Sequence, residues 1–251
     1  MPYGLYISGE GARAQSRRME VLANNLANVD TIGFKRELAV FQARYAEAIE
    51  RGKDEPGSGS INDLGGGVFV RQTDTDFSPG PLKRTSTPTD MAIEGEGFFV
   101  VQKGDSTYLT RAGNFHLNFR GELMTQKEQS VLSDTGTPIV IDPTNGPWSV
   151  SGQGTIRQPG MEQALAMVKV ASRGDLAKSG ENLFRPLAET HPLAAGERRV
   201  ASGYLELSGV QPTSEMVELI ETSRAIEVNI NLMQTQDQML GGLVNRVMRT
   251  S

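Results

Sequence analysis

Pro212-Thr213-Ser214-Glu215-Met216-Val217-Glu218-Leu219-Ile220 opens the stretch that decides the fold, and the pattern continues without a break to Val247-Met248. Proline has a fixed φ and no N–H, which suits the first position of a helix. Glu215 and Glu218 follow in the first turns, while Arg246 and Arg249 lie at the other end. Both ends therefore complement a helix dipole. Met216, Leu219, Ile226, Ile230, Met233, Leu240, Val244 and Val247 fall on one heptad seam, interrupted only by Ser223 and Asp237. The spacing predicts a helix over 212–248, about 55 Å long at 1.5 Å per residue. A helix longer than a small domain is wide is expected to project in part and to find a partner.

The other end of the chain carries a similar pattern. Leu5, Ala12, Met19, Leu22, Leu26 and Val29 recur in three- and four-residue steps, with Ser8 and Gln15 weakening the same register. The apolar stripe is narrow, closer to a coiled-coil seam than to the broad face of a core helix. Arg13, Arg17, Arg18, Glu20, Asn24 and Asn28 occupy the polar face. Asp30-Thr31-Ile32-Gly33 ends the pattern, and Gly33 suits a left-handed backbone position. A second helical piece is expected over about 36–50, with Leu38, Phe41 and Tyr45 on one side. Residues 1–50 thus read as an N-terminal helical segment and 208–251 as its C-terminal counterpart, the two pairing as a coiled-coil-like stalk.

Between them the composition changes. Residues 51–67 hold Gly52-Lys53-Asp54-Glu55-Pro56-Gly57-Ser58-Gly59-Ser60 and Gly65-Gly66-Gly67, which read as a flexible linker. Residues 68–207 show short strand patterns: Val68–Val70, Phe98–Val101, Thr107–Leu109, Phe115–Leu117, Ile139–Ile141 and Met167–Val170. Turn signals such as Ser78-Pro79-Gly80-Pro81 and Asn145-Gly146-Pro147 separate them. No helical pattern alternates with the strands, so a parallel doubly wound sheet is not expected. The fold class is α+β, with an antiparallel β-rich domain, a sandwich or open barrel, between terminal helices.

Composition narrows the chemistry. Of 251 residues, 37% are hydrophobic and 6% aromatic, which is lean for a chain that buries everything it carries. The net charge of -5 and the absence of any basic run argue against nucleic acid. With no cysteine, disulfide and thiolate chemistry are ruled out. The opening residues lack a basic region followed by an apolar run, so no cleaved signal peptide is expected, and no stretch is apolar enough to insert in a membrane. His116 and His191 have no second ligand at metal spacing. Gly95-Glu96-Gly97 precedes a strand and lacks the rest of a nucleotide-binding motif. Asp74, Asp76 and Asp90 read as solvated loop carboxylates. The expectation is a non-enzyme without catalytic, metal or cofactor residues. A β-rich adhesin or carbohydrate-binding module on a helical stalk is the alternative from another class.

Leu22-Ala23-Asn24-Asn25-Leu26-Ala27-Asn28-Val29-Asp30-Thr31-Ile32-Gly33-Phe34-Lys35-Arg36 resembles the N-terminal signature of the bacterial flagellar rod and hook family. Three further stretches resemble family motifs in the same order: Gly95–Val101, Tyr108–Phe115 with Gly121-Glu122-Leu123, and Tyr204–Val210 with the helix through Asp237-Gln238-Met239-Leu240. Gly209 departs from the family pattern, which usually has Asn after Ser208. The resemblance implies a structural rod subunit that polymerises through its terminal helices into the drive-shaft linking motor to hook. It implies export through the flagellar type III apparatus and a place in the periplasmic basal body beside other rod subunits and hook-side axial proteins. The length and the Gly4-Leu5-Tyr6-Ile7-Ser8 opening favour the proximal-rod type, while Val217 to Leu240 also resembles the distal-rod type.

Overall fold

The computed structural model describes residues 3–60, 63, 65–142 and 144–248. They form two compact units, each drawn from separate parts of the chain: 1–27, 37–76 and 211–251 in the first, 28–36 and 77–210 in the second. Helices at both ends and antiparallel strands between them give the expected α+β class.

The first unit contains α1 (Tyr3–Ala27), β1 (Glu37–Ala43), the single turn α2 (Glu47–Glu50), β2 (Val68–Thr75) and α3 (Pro212–Met248). The helix expected over 36–50 is instead a strand and one helical turn. β1 pairs antiparallel with β2, from Glu37 opposite Thr75 to Ala43 opposite Val68, and a bulge interrupts the register between Val40 and Phe41. The extra residue is Arg71 on β2, between Gln72 opposite Val40 and Val70 opposite Phe41. On β1 itself Leu38 and Phe41 stand three apart, a step that a helix also produces. β2, expected to open the β-rich domain, belongs to the unit of the helices.

The segment read as a linker is held by specific contacts. The Asp63 carboxylate accepts hydrogen bonds from the N–H groups of Gly57 and Gly59 at 2.8 and 2.5 Å. Arg44 N–H donates to Gly67 O and Gly66 N–H to Arg44 O, at 2.8 and 2.6 Å. A Cβ at Gly66 would stand 2.1 Å from Tyr45 O, so the glycine allows that approach. Residues 61, 62 and 64 of this segment lie outside the described residues.

The second unit carries the main core. β3 (Leu82–Arg84) pairs with β18 (Tyr204–Glu206), and β4 (Met91–Ile93) with β17 (Val200–Ser202). A nine-stranded sheet centres on β5 (Phe98–Lys103) and β6 (Ser106–Thr110). β7 (His116–Leu117), β8 (Leu123–Met124) and β9 (Ser130–Val131) extend it on the β5 side. β15 (Leu183–Pro186) and β14 (Leu176–Lys178) extend it beyond β6, while β13 (Met167–Val170) joins β5 to β16 (Thr190–Pro192). β10 (Ser149–Val150), β11 (Thr155–Gln158) and β12 (Met161–Ala164) form a separate three-stranded sheet.

Alternation along β5 explains its central place. Phe99 and Val101 enter the larger buried cluster, with Phe115, Leu123, Ile139 and Leu165. Phe98 belongs to a smaller cluster with Leu109 and Phe184, and Val100 packs against that one. Both faces of the strand are therefore apolar, as a central strand requires. Ile139 and Ile141 are fully buried, yet this segment makes only isolated bridges, Glu122 to Val140 and Leu132 to Pro138. The run was expected as a strand, but its pairing is too interrupted to form one.

Candidate assembly surface

α1 and α3 pack against each other in the first unit, and they run antiparallel. A Cβ on Gly4 would lie 2.7 Å from Gln236 Nε2, and one on Gly11 3.1 Å from Asn229 Oδ1. Farther along, Arg18 donates to Glu218 at 3.0 Å and Asn25 to Glu215 at 3.3 Å. Partner numbers fall on α3 as they rise on α1. Along this line Gly4, Gly11, Arg18 and Asn25 meet Gln236, Asn229, Glu218 and Glu215, all small or polar, while Met233 of the seam approaches Gly9, where a Cβ would lie 3.8 Å from its Sδ. Glycines let the helices approach closely.

The predicted seam lies beside this line. Leu22 is buried, while Leu5, Met19, Leu26 and Val29 are half-buried. On α3, Leu219, Ile226, Met233 and Leu240 are half-buried. Met216, Ile230 and Val244 are exposed at 51%, 40% and 57%. The side chain of Val247 lies outside the described residues. Val228, Leu232, Met239 and Leu243 form a further exposed apolar stripe that sequence reading missed. Its four- and seven-residue steps are helical, but they follow a different heptad register from the predicted seam. α3 thus carries apolar residues around much of its circumference, and many remain in solvent.

The family signature divides between the units. Asn25 is fully buried in the first. Its Oδ1 accepts from Glu37 N–H at 2.9 Å, and its Nδ2 donates to Glu37 O at 2.8 Å, so one side chain satisfies both backbone groups at the start of β1. Asn24 and Ala27 are exposed and Asn28 half-buried. Asn28 Oδ1 accepts from Thr31 Oγ1 at 3.1 Å in the turn after α1.

Gly33, Phe34 and Lys35 lie in the second unit, all buried. Gly33 has φ of 66°, and a Cβ there would stand 2.5 Å from the carbonyl carbon of Arg111. Both the dihedral and the approach demand glycine. Lys178 Nζ lies 4.7 Å from the centre of the Phe34 ring. Lys35 Nζ donates to Glu206 Oε1 at 2.6 Å and to Ser78 O at 2.8 Å. Glu206 also accepts from Gly80 N–H at 2.8 Å and from Arg111 Nη1 at 3.3 Å. Arg111 Nη2 donates to Gly95 O at 2.6 Å. Burial pushes the Arg111 guanidinium below its ordinary pKa, and the charge of Glu206 opposes that fall. Arg111 and Glu206 stand within the matched motifs, but their burial and pairing with Lys35 were not read from sequence. Gly209 N–H donates to Phe34 O at 3.0 Å through its backbone, so the departure from Asn leaves that bond intact.

The discounted residues stay apart from any such cluster. His116 lies on β7 and His191 on β16, and among the described residues no three His, Asp or Glu side chains are placed to hold a metal. No helix among the described residues is long and apolar enough to cross a membrane.

Paired terminal helices joined by an antiparallel β-rich segment define a structural subunit of an axial assembly once their signatures are compared with known proteins. Residues 5–35 match the family described as flagella basal body rod protein. Residues 92–158 match the flagellar hook protein FlgE/F/G D1 domain, and 201–246 the flagellar basal body rod FlgEFG protein C-terminal. The chain is 33% identical to the flagellar basal-body rod protein FlgF of Caulobacter vibrioides, over 98% of each chain. It is 31% identical to the flagellar basal-body rod protein FlgG of Bacillus subtilis, over 96% of this chain and 97% of that one. It is 36% identical to FlgG of Buchnera aphidicola subsp. Acyrthosiphon pisum, over 94% and 96%. The chain belongs to the flagellar basal-body rod protein family, whose members are structural and not enzymatic.

Proposed function

We propose that this subunit polymerises through its terminal helices to build the rod that links motor to hook, and that it occupies the proximal part of that rod. The observation that carries the reading is the exposed apolar surface of α3, above all Met216, Ile230 and Val244 on the predicted seam. A Leu, Ile or Met side chain taken from water contributes about 1.5–3 kcal/mol, so a few per contact offset the cost of ordering helix ends. Neighbouring copies and other axial subunits are the partners, with heterologous contacts that continue into a helical polymer. Export through the flagellar type III apparatus and a periplasmic position complete the reading. It requires no cofactor, nucleic acid or membrane insertion.

Support for the proximal position comes from the Gly4-Leu5-Tyr6-Ile7-Ser8 motif and the relative named FlgF. Relatives named FlgG at comparable identity support the distal position as the second reading. Cryo-tomography of basal bodies lacking this chain separates the two. Loss of the whole rod supports the proximal position, and loss of its outer part alone the distal one.

The seam has its own test. Ile230→Asp places a charge on an exposed site, so the isolated subunit is expected to keep its stability within about 0.5 kcal/mol of the parent. Rod assembly and swimming are expected to be lost. Normal swimming by cells whose only copy is this variant would remove Ile230 from the interface.

A further inference from the structure

The second unit presents an aromatic knob in one place and an aromatic-lined cavity in another. The knob is Phe119, 92% exposed at the tip of the β7–β8 turn. Its support is rigid. Asn118 Oδ1 accepts from Arg120 N–H at 2.8 Å and from Glu122 N–H at 2.9 Å. Gly121 N–H donates to Asn118 O at 3.0 Å, and the Arg120 guanidinium lies 5.3 Å from the centre of the Phe119 ring. The turn therefore holds an amphipathic projection without covering it.

The cavity opens beside the start of β5 and the end of β13, and its volume is about 260 Å³. Phe77 and Phe98 line it, with ring centres 5.6 Å apart and planes at 85°, and both rings also contact Phe184. Val170 and Gly97 continue the wall. A Cβ at Gly97 would meet Leu193 Cδ1 at 2.6 Å, so the wall is bare backbone there. Arg111, also in the lining, is 3% exposed, and its Nε has no hydrogen-bond partner. The Glu96–Lys169 ion pair borders the cavity. An apolar cavity of about 150 Å³ accepts a benzene ring, so this one has room for a phenyl group with part of its backbone.

We propose that Phe119 of one copy inserts into the cavity of the next copy, against Phe77 and Phe98, making a directional contact between β-rich units; this rests on the polymer reading above. Two observations select a second copy as the occupant. The knob and the hole are carried by the same unit, and with 92% of Phe119 exposed the knob does not fill the hole of its own chain. Edge-to-face contact with Phe77 and Phe98 is the arrangement aromatic rings prefer. Arg120 arrives with the knob beside the rim carboxylate of Glu96, a match of opposite charges. A contact that joins two different patches does not close into a dimer; it propagates, as an open filament requires.

The absence of cysteine allows a clean test. Arg120→Cys and Ala171→Cys, both at exposed positions and both leaving the Phe119 ring in place, are made singly and together in cells whose only copy is the variant. Basal bodies are oxidised and run on a denaturing gel without reductant. The double variant is expected to give a reducible ladder of dimers, trimers and longer species, and neither single variant a ladder. Intact rods yielding only monomer from the double variant would overturn the knob contact while leaving the polymer reading in place. A ladder from either single variant would overturn it too. Where the double variant builds no rods, the purified full chain is oxidised at high concentration; a ladder of trimers and above supports the contact, and monomer overturns it.

Discussion

Lys35 shows how a residue can be legible as a signature and illegible as a physical object. A lysine is read as solvated unless something pairs it. Its partner Glu206 lies 171 residues away in sequence. Only folding reveals that Lys35, Glu206 and Arg111 form one buried cluster with two cations around one carboxylate. Removing the shared anion strands two buried charges, while removing Lys35 leaves Glu206 with Arg111 and Gly80. Glu206→Leu is therefore expected to cost more than Lys35→Met, with breakage of a buried pair worth about 3–5 kcal/mol. Urea unfolding of the purified subunit measures both, and the reverse order would show that Arg111 does not depend on Glu206. A surface carboxylate gives a pH-dependent counterpart. The hydrogen bond from Lys103, at 2.6 Å, holds Glu181 below the usual carboxylate range. A depressed folded pKa means that its contribution is present above the unfolded value of about 4.3 and is lost as pH falls through the folded value. Carboxyl NMR is expected to show Glu181 titrating below an ordinary glutamate, and Lys103→Met to return it upward.

Elements were legible where one periodicity ran long and illegible where a local irregularity imitated another. α3 follows from Pro212, its acidic first turn and its heptads, and its bounds match the expected span. β1 does not, because Leu38, Phe41 and Tyr45 stand three and four residues apart, a helical spacing carried by a strand and the segment after it. Heptad spacing identified apolar α3 residues but not which line faces α1. That line contains Glu215, Thr222 and Asn229, which a hydrophobic pattern passes over. Gly241 and Gly242 lie inside α3 without a positive φ, and a Cβ added at either would meet no heavy atom within 4 Å. Glycine costs a helix about 0.8–1.0 kcal/mol relative to alanine. Gly241→Ala and Gly242→Ala together are expected to raise helical content at the end of α3 without a clash, read by far-UV circular dichroism. Unchanged ellipticity would mean that the end is already fully helical in solution. Impaired rods from a more helical variant would assign the glycines to a bend or close contact made only in the assembly.

For the whole molecule, the distribution of apolar burial sets an order of stability. Both buried hydrophobic clusters lie in the second unit. The first unit relies on the α1–α3 pair, whose contact line from Gly4 to Asn25 is small or polar. Gln15 Oε1 and Gln236 Oε1 are buried there without hydrogen-bond partners, and each such group costs about 1–3 kcal/mol. Past Gln236, α3 continues to Met248 beyond the contact with Gly4, and Met239, Leu243 and Val244 are exposed. Amide exchange follows local opening, so segments with little apolar burial exchange first. In a subunit shown to be monomeric by sedimentation, residues 237–248 are expected to exchange fastest. The paired parts of α1 and α3 should be intermediate, and β5, β6 and the segment around Ile139 slowest. Assembly into rods is expected to protect 237–248 more than any other part of α3, because neighbours there cover its exposed Met239, Leu243 and Val244. Uniform protection along α3 in the monomer would contradict the order. It would mean that the helix is stable through its own propensity, leaving the exposed apolar residues without the energetic role that polymerisation assigns them.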